Sequence, residues 1–385
     1  MQQSSATSAA RAVGEDLLQA ARTFFPDFTT AEAIPGHPDI VKISSPAGTG
    51  RVRRWPAGVL ATDIAFGHEV MATARDTGLI PVPRLVSPPS ASNEPSLRII
   101  GSRRFDAQEW MLGAPPPRSE AAWPNPEDRI DIPVVLAPAA FSAVIATAAR
   151  LHDVTTTIAA RQGIPTAPMS MLPGAVRQAH GRHLAALRAR ARREPAIQRW
   201  LATGERLMAA AEPIVLATPE ELGLPASVLH LGLWPAHVLL EGNALTGLLG
   251  WGRVAAGSPL LDIAQATLRL QGWSDEVVEL ALGAYAEARP LSPEERRLLP
   301  AVAALDAVAT TGRLLEQTYA VDEPARPPTA LRAAIDMMLR SMTALDRSLI
   351  AQSTVGKSKR TPWRRGPRPT PMRVQEGGKS RARRR

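Results

Sequence analysis

The stretch "VLHLGLWPAHVLL", residues 228–240, decides how the whole chain is interpreted. It has the outline of a catalytic loop, with a histidine, a sharp turn at Pro235 and an apolar strand after the turn. Yet it contains no Asp, Glu, Asn, Ser, Cys or Lys. It therefore lacks the oxygen ligands that magnesium prefers and the usual nucleophiles of enzymes. The loop therefore has the shape of a catalytic site but lacks the side chains that would carry out a reaction.

The composition predicts a cytoplasmic protein with more than one folded unit. The chain has 385 residues, 45% of them hydrophobic, which exceeds what a domain of about 150 residues would hold. The absence of cysteine excludes disulfides, thiolate metal sites and cysteine nucleophiles. The N-terminus lacks the basic start and apolar run of a signal peptide. The uncharged residues 132–149 include two prolines and indicate a loop leading into a buried helix, so no membrane association is expected.

The positive charge is concentrated at the C-terminal end. The chain carries a net charge of +9, but residues 356–385 hold 12 basic residues and one acid, which leaves −2 for the rest. This tail is rich in Pro, Gly and Arg and is predicted to be disordered. Such a segment binds polyanions such as nucleic acid through counterion release, or it serves only as a solubilising extension. Both interpretations are open.

Hydrophobic periodicity predicts a small β-rich region followed by a helical one. Residues 40–44 and 51–55 flank a Pro/Gly turn and predict a hairpin, and a helix follows over residues 62–78. Short strands are predicted at 80–86 and 96–101, and the last helix is predicted to end near Ile350. The predicted segments are an N-terminal helix (1–28), a β-rich lobe (29–113), a Pro-rich connector (114–138), a helical lobe (139–352) and the basic tail (353–385).

This order of elements resembles that of a protein kinase-like fold. The motifs resemble those of the aminoglycoside phosphotransferase and choline kinase family. The resemblance implies an α+β, two-lobed protein kinase-like fold with a small β-rich N-lobe and a mostly helical C-lobe. The family's catalytic loop has the form His-Gly-Asp-Leu-His-Pro-Gly-Asn-Val-Leu, and this chain keeps its framework at His230 and Pro235. The family's structural Gly-Asp-Pro-x-x-Asp-Leu-Ala segment keeps its second acid as Asp262.

The positions that carry the family's chemistry are changed. The catalytic Asp of the loop falls on Gly232, and its metal-binding Asn falls on His237. The family's Gly-hydrophobic-hydrophobic-Asp-Trp/Phe segment places its magnesium-holding Asp at Gly250. Glycine offers no side-chain oxygen, and imidazole is a poor magnesium ligand. We therefore predict no metal site, and we expect the two glycines to face each other across a cleft.

The small lobe keeps candidates for nucleotide binding. The resemblance places Arg53 at the family's Lys or Arg on a strand and Glu69 at the Glu that pairs with it. It implies that the backbone around Trp110 forms the hinge that would contact adenine, and that Gly36 belongs to the phosphate loop. ATP is thus a possible weak ligand, without magnesium.

These observations favour a degenerate family member, a pseudokinase with a binding or regulatory role toward an unknown small molecule or protein. Two alternatives are open: an active ATP-dependent kinase of a small-molecule alcohol with displaced catalytic groups, and a nucleic-acid- or ribosome-associated protein acting through its basic tail. The first alternative requires magnesium-dependent ATP turnover. The second requires that binding be lost when the tail is removed.

Other histidines and tryptophans have simpler interpretations. His230 is expected to fix the loop by bonding to backbone rather than to act as an acid or base. His180 and His183 lie beside arginines in a predicted helix and are expected to be solvated. Trp234 and Trp251 either line a ligand pocket or fill the volume that substrate and metal occupy in the family.

Overall fold

The computed structural model describes residues 13–34, 37–89, 96–116, 132–167, 172–216, 226–319 and 329–358. Within these ranges the chain forms a small lobe built on a sheet and a larger lobe built on helices, as the sequence predicts. Gly36, most of the Pro-rich connector and residues 359–385 of the basic tail lie outside the described residues.

The small lobe is an antiparallel five-stranded sheet with strand order β1-β2-β3-β5-β4 and two helices. Its elements are α1 Glu15–Phe24, β1 Thr30–Ile34, β2 His37–Ser45, β3 Gly48–Arg54, α2 Ala61–Asp76, β4 Leu97–Ile100 and β5 Arg103–Glu109. The predicted hairpin is confirmed as β2 and β3, which pair through Val41 and Val52. The strand predicted at 80–86 is wrong, since this segment makes a single bridge at Leu85. Its two prolines have no N–H to donate to a ladder.

The two helices of the small lobe belong to different hydrophobic cores. Leu17 and Phe24 of α1 repeat at helical spacing and pack with Val41 and Val52 of the sheet in a core of their own. The apolar side of α2, which includes Val70, instead joins the core of the helical lobe. The helix α2 therefore connects the lobes.

The helical lobe contains a small three-stranded sheet and a two-stranded hairpin. Its elements are α3 Pro138–Val154, α4 Thr156–Ala159, β6 Thr166–Ala167, α5 Leu172–Leu187, α6 Pro195–Leu216, β7 Ser227–Leu229, β8 Val238–Glu241, β9 Ala244–Leu248, β10 Ala255–Gly257, α7 Leu260–Leu270, α8 Asp275–Ala286, α9 Pro293–Tyr319 and α10 Thr329–Ser358. A capping box starts α9: the Glu295 N–H donates to Ser292 Oγ, and the Ser292 N–H donates to the Glu295 carboxylate. By length and composition α9 could cross a membrane, but 83% of its most apolar window is buried, as in a core helix.

Two local predictions in this lobe are wrong. Helix α10 runs to Ser358, beyond the predicted end near Ile350 and into the segment assigned to the tail. Between its first residue and Ser358 no proline interrupts it, and a single glycine, Gly356, costs a helix only about 1 kcal/mol. His180 and His183 are buried rather than solvated, because they face the core side of α5.

Candidate ligand-binding cleft

A cavity of about 270 Å³ lies between the two lobes, where the family resemblance places the active site. The small lobe contributes Ile40, Arg51 and Arg53 to it, and the segment after β5 contributes Trp110 and Met111. The side formed by the helical lobe is lined by Ala236, His237, Leu239, Leu249 and Gly250. The cleft thus combines apolar walls with guanidinium groups and a histidine.

The imidazole of His237 fills the space between Gly232 and Gly250, the two positions where the resemblance implies acids. Its Nδ1 donates to the carbonyl oxygen of Gly232 across 2.8 Å. A Cβ added to Gly250 would lie 2.3 Å from that same nitrogen, and one added to Gly232 would lie 3.2 Å from it. Gly232, His237 and Gly250 are therefore one packed unit.

Magnesium does not fit this arrangement. The ion requires several oxygen ligands at close to octahedral geometry, and the two positions that would supply carboxylates are glycines. A histidine ring stands where those carboxylates would extend, and its Nδ1 is used as a donor to Gly232. Among the described residues, no three His, Asp or Glu side chains are grouped as a metal site.

The framework of the loop is held by a buried carboxylate in the first turn of α7. Asp262 accepts from the backbone N–H groups of His230 at 2.6 Å and Leu231 at 2.8 Å. His152 Nε2 lies 3.1 Å from Asp262 Oδ2, and its Nδ1 accepts from the hydroxyl of Tyr285 at 2.9 Å. Burial opposes ionisation, but these hydrogen bonds and the neighbouring histidines hold the pKa of Asp262 below its ordinary value.

His230 itself is a core residue. Its side chain is fully buried, and its ring stands edge-on to Trp251 with centroids 4.8 Å apart. Burial lowers the pKa of His230 to about 4, so the ring is neutral at pH 7. The indole of Trp251 is also buried and donates to the Leu248 carbonyl. Of the two predicted roles for Trp251, filling the volume is the one this geometry supports.

The second tryptophan, Trp234, lies between His237 and a set of arginines. Its ring is stacked with that of His237 at a centroid distance of 5.7 Å. The guanidinium carbons of Arg253 and Arg269 each lie 5.0 Å from the indole centroid, within the range of cation–π attraction. Trp234 thus supports His237 from the side of the helical lobe.

Arg53 is anchored, but not by the predicted acid. It makes a bidentate pair with Asp106 on β5, at 2.6 and 3.1 Å, and its guanidinium carbon lies 3.5 Å from the ring centroid of Trp55. Asp106 also contacts His68 Nε2 at 3.0 Å, and His68 Nδ1 accepts from Ser96 Oγ at 2.7 Å. Burial would raise the pKa of Asp106, but the charge of Arg53 and these hydrogen bonds hold it well below its usual range.

The predicted pair of Arg53 with Glu69 is not formed. His68, one residue earlier on α2, takes the position that faces β3 and β5, so the Glu69 side chain turns away from the cleft. Glu69 instead makes a bidentate pair with Arg161 of the helical lobe, at 2.7 and 2.9 Å. The acid that pairs with Arg53 is therefore Asp106 on β5, and not Glu69 on α2 as the resemblance implies.

The segment after β5 fixes the back of the cleft. The Trp110 N–H donates to the Thr49 carbonyl at 2.9 Å, so this donor is already used within the sheet. Ala114 pairs with Leu240 through hydrogen bonds in both directions, which ties the crossing between lobes to β8. Trp110 thus lines the cavity while its backbone N–H is engaged in the sheet.

Several residues of the cleft were not identified from the sequence. Arg51 has a signal, because it lies two residues before Arg53 and alternate residues of a strand share a face. Asp106, His68 and Ser96 have no local signal, since the pairing of β3 with β5 alone places Asp106 opposite Arg53.

Comparisons with known proteins agree with the two-lobed fold. The sequence model described as the phosphotransferase enzyme family matches residues 37–301. A comparison with curated protein sequences gives no match. Among solved structures, the chain is similar to an aminoglycoside phosphotransferase from Alicyclobacillus acidocaldarius subsp. acidocaldarius DSM 446, with a TM-score of 0.61 and 14% identity over 91% of this chain and 99% of that one.

Two further structures show the same fold. A putative aminoglycoside phosphotransferase from Ralstonia eutropha JMP134 matches with a TM-score of 0.53 and 14% identity, over 89% of this chain and 98% of that one. A spectinomycin phosphotransferase in complex with ADP and spectinomycin matches with a TM-score of 0.57 and 10% identity, over 88% and 98%. The family match spans more than half of the chain, and the two-lobed fold agrees with it. The chain therefore belongs to the phosphotransferase enzyme family of the aminoglycoside phosphotransferases, with their protein kinase-like fold.

Proposed function

We propose that this protein is a pseudokinase of its family, which binds a ligand in the cleft between the lobes and does not transfer phosphate. The observation that carries the proposal is the His237 ring, packed between Gly232 and Gly250. It occupies the space that the family's catalytic-base carboxylate and its metal-binding carboxylate would need. The role is therefore binding or regulation.

The expected loss of catalysis is large. Phosphoryl transfer depends on positioning the phosphates and neutralising their charge, for which the family relies on metal ions and a catalytic acid. Each 1.36 kcal/mol added to a barrier slows a reaction about tenfold, and removing one important group commonly costs several kcal/mol. Here the catalytic-base position and both metal-ligand positions are changed together.

The framework that remains is consistent with a binding role. Asp262 still holds the backbone of the loop, and Asp106 still holds Arg53 at the edge of the cavity. A protein that kept only its fold would not need an ordered guanidinium facing an open cleft. The ligand is a small molecule or a segment of a protein partner.

The experiment is a phosphotransfer assay with purified protein, magnesium-ATP and alcohol acceptors such as aminoglycosides, choline and homoserine. No product above background is expected, with an active aminoglycoside phosphotransferase as the positive control. Robust turnover by the unaltered protein would refute the proposal and favour an active kinase with displaced groups. The triple variant Gly232→Asp, His237→Asn and Gly250→Asp is expected to gain magnesium-dependent ATP binding, because it removes the imidazole as it adds the carboxylates.

A further inference from the structure

We propose that the cleft binds a phosphate-bearing organic anion without a metal ion, that Arg51 supplies the positive charge that the family takes from magnesium, and that magnesium weakens this binding. The inference rests on the proposed function, since it assigns a ligand class to the same cleft. The ligand would be a flat molecule of about the size of a nucleoside monophosphate.

The first support is the position of Arg51. It lies on β3 two residues before Arg53, so both side chains leave the strand on the side of the cavity. The Arg51 guanidinium is held by the side-chain oxygen of Gln108, with Nε at 3.1 Å. This partner is neutral, whereas the Arg53 guanidinium is paired with the carboxylate of Asp106.

The second support is the balance of charge. Among the described residues, the carboxylates nearest the two arginines are already engaged: Asp106 with Arg53 and His68, and Glu109 with Arg84 at 3.3 Å. The two partly buried guanidiniums of Arg51 and Arg53 therefore share a single carboxylate, that of Asp106. A partly buried charge that shares its counterion is incompletely compensated, and a bound anion would complete the compensation.

The state of Arg51 agrees with an excess of positive charge. Burial, followed by the charge of Arg53, lowers the pKa of Arg51 to about 10. The guanidinium is still protonated at neutral pH, so it remains an anion-binding group. A phosphate or other oxyanion placed between two guanidiniums accepts charge-assisted hydrogen bonds from both of them.

The shape of the cavity limits the ligand. Its volume of about 270 Å³ is below the usual range of roughly 300–1,000 Å³ for small-molecule sites, which disfavours a full triphosphate with its metal. Ile40 and Trp110 on one side and Leu239 and Leu249 on the other offer apolar surfaces for a flat ring.

Magnesium is expected to oppose this mode of binding. A metal ion on the ligand's phosphates neutralises the charge that the arginines recognise, and no described carboxylate of the cleft is available to hold the ion. In this respect the site differs from one in which the metal bridges protein and phosphate. Binding should therefore weaken when magnesium is added.

The test uses the full-length protein and isothermal titration with AMP, ADP and adenosine at constant ionic strength. We expect AMP to bind at least tenfold more tightly than adenosine, and ADP to bind more tightly with EDTA than with excess magnesium chloride. Equal binding of AMP and adenosine, no binding of AMP, or tighter binding of ADP with magnesium would each overturn the inference. None of these outcomes requires turnover, so the inference can fail while the proposed function stands.

Variants identify the residue responsible. Arg51→Met should reduce AMP affinity at least tenfold and leave adenosine affinity unchanged, whereas Arg51→Lys should retain part of it. The control is Arg22→Gln, which removes one exposed positive charge from α1, outside the cleft, and should change nothing. If Arg51→Met does not fold, the magnesium and adenosine comparisons on the unaltered protein still decide the matter. Unchanged AMP affinity in folded Arg51→Met would overturn the assignment.

Discussion

The two sides of the cleft differ from the pattern that the family resemblance implies in opposite ways. In the small lobe the expected arginine has an acid partner, but this partner is Asp106 on β5 and not Glu69 on α2. In the loop the expected framework is present, but the positions expected to hold acids are Gly232 and Gly250, and the ring of His237 fills the space beside them. A neighbouring strand can supply a new partner for an arginine, as β5 does here with Asp106. A metal site, in contrast, cannot bind its ion when the ligand side chains are absent.

This difference distinguishes residues that support the fold from residues that would act on a ligand. Asp262 and His152 contact the backbone and core around the loop, so losing them would destabilise the fold whether or not the protein is an enzyme. The acids and the amide that the resemblance implies at Gly232, His237 and Gly250 would contact substrate and metal. Their absence is therefore expected to remove activity at little cost in stability.

Four measurements would test this comparison.

The largest expected effect is at the buried anchor of the loop. Asp262→Ala leaves the N–H groups of His230 and Leu231 and the ring of His152 without their acceptor. Removing one partner of a buried charged network costs about 3–5 kcal/mol, which urea denaturation would measure. The matched control, Asp275→Ala, removes an exposed acid from the first turn of α8 and should cost at most about 1 kcal/mol. A loss below about 1 kcal/mol in Asp262→Ala would mean that the framework is not held in this way.

The next effect depends on pH and concerns His230. Its folded pKa is about 4, whereas an unfolded histidine titrates near 6.5. Between these values the unfolded state binds the extra proton, so His230 lowers the free energy of unfolding as pH falls. The slope from this residue is at most about 1.4 kcal/mol per pH unit. In His230→Phe this contribution is absent, so the stability difference from the unaltered protein should shift in the variant's favour between pH 7 and 4. A constant difference would show that folding does not lower the pKa of His230.

A smaller effect tests whether His237 fills the site. Gly250→Ala should cost about 1–3 kcal/mol from overpacking, because its Cβ would lie 2.3 Å from the His237 ring. Gly242→Ala is the control: this glycine also has a positive φ, but its Cβ would meet nothing within 4 Å. In the background of His237→Ala, the excess cost of Gly250→Ala over Gly242→Ala should disappear. If the excess persists, the imidazole is not what occupies the space.

The smallest effect is expected at Glu69, whose side chain lies outside the cleft. Glu69→Gln removes a half-exposed ion pair with Arg161, and such pairs contribute about 0.2–1 kcal/mol, less at high salt. Denaturant unfolding at two salt concentrations would measure this loss. A loss several times larger and independent of salt would indicate that Glu69 still serves the cleft.

Much of the framework was predictable, because it is carried by local sequence. His230, Pro235 and the apolar residues around them match a loop pattern without gaps, so Gly232, His237 and Gly250 could be placed from sequence alone. The capping box of α9 was likewise readable in three consecutive residues after Ser292. Patterns of this kind depend on neighbours in the chain.

The contacts across the fold were not predictable in the same way. The partner of Arg53 lies 53 residues further along, and the register of β3 against β5 selects it. The rotation of α2, which turns His68 inward and Glu69 outward, is set by the packing of its apolar side. The position of the His237 ring likewise depends on contacts with Gly232 and Gly250 that form only when the loop folds against the segment after β9.

The division of the hydrophobic cores has a consequence for how the protein opens. Because α2 packs into the core of the helical lobe, while α1 and the five strands share a separate core, the boundary of cooperative unfolding does not coincide with the boundary between lobes. Amide hydrogens of α2 should exchange with solvent as slowly as those of α9, whereas those of β3 should exchange faster, together with the rest of the five-stranded sheet. The sheet side of the cleft, which includes β3, is then the first part of the cleft to unfold locally. A ligand that contacts both β3 and the helical lobe would slow amide exchange in the sheet.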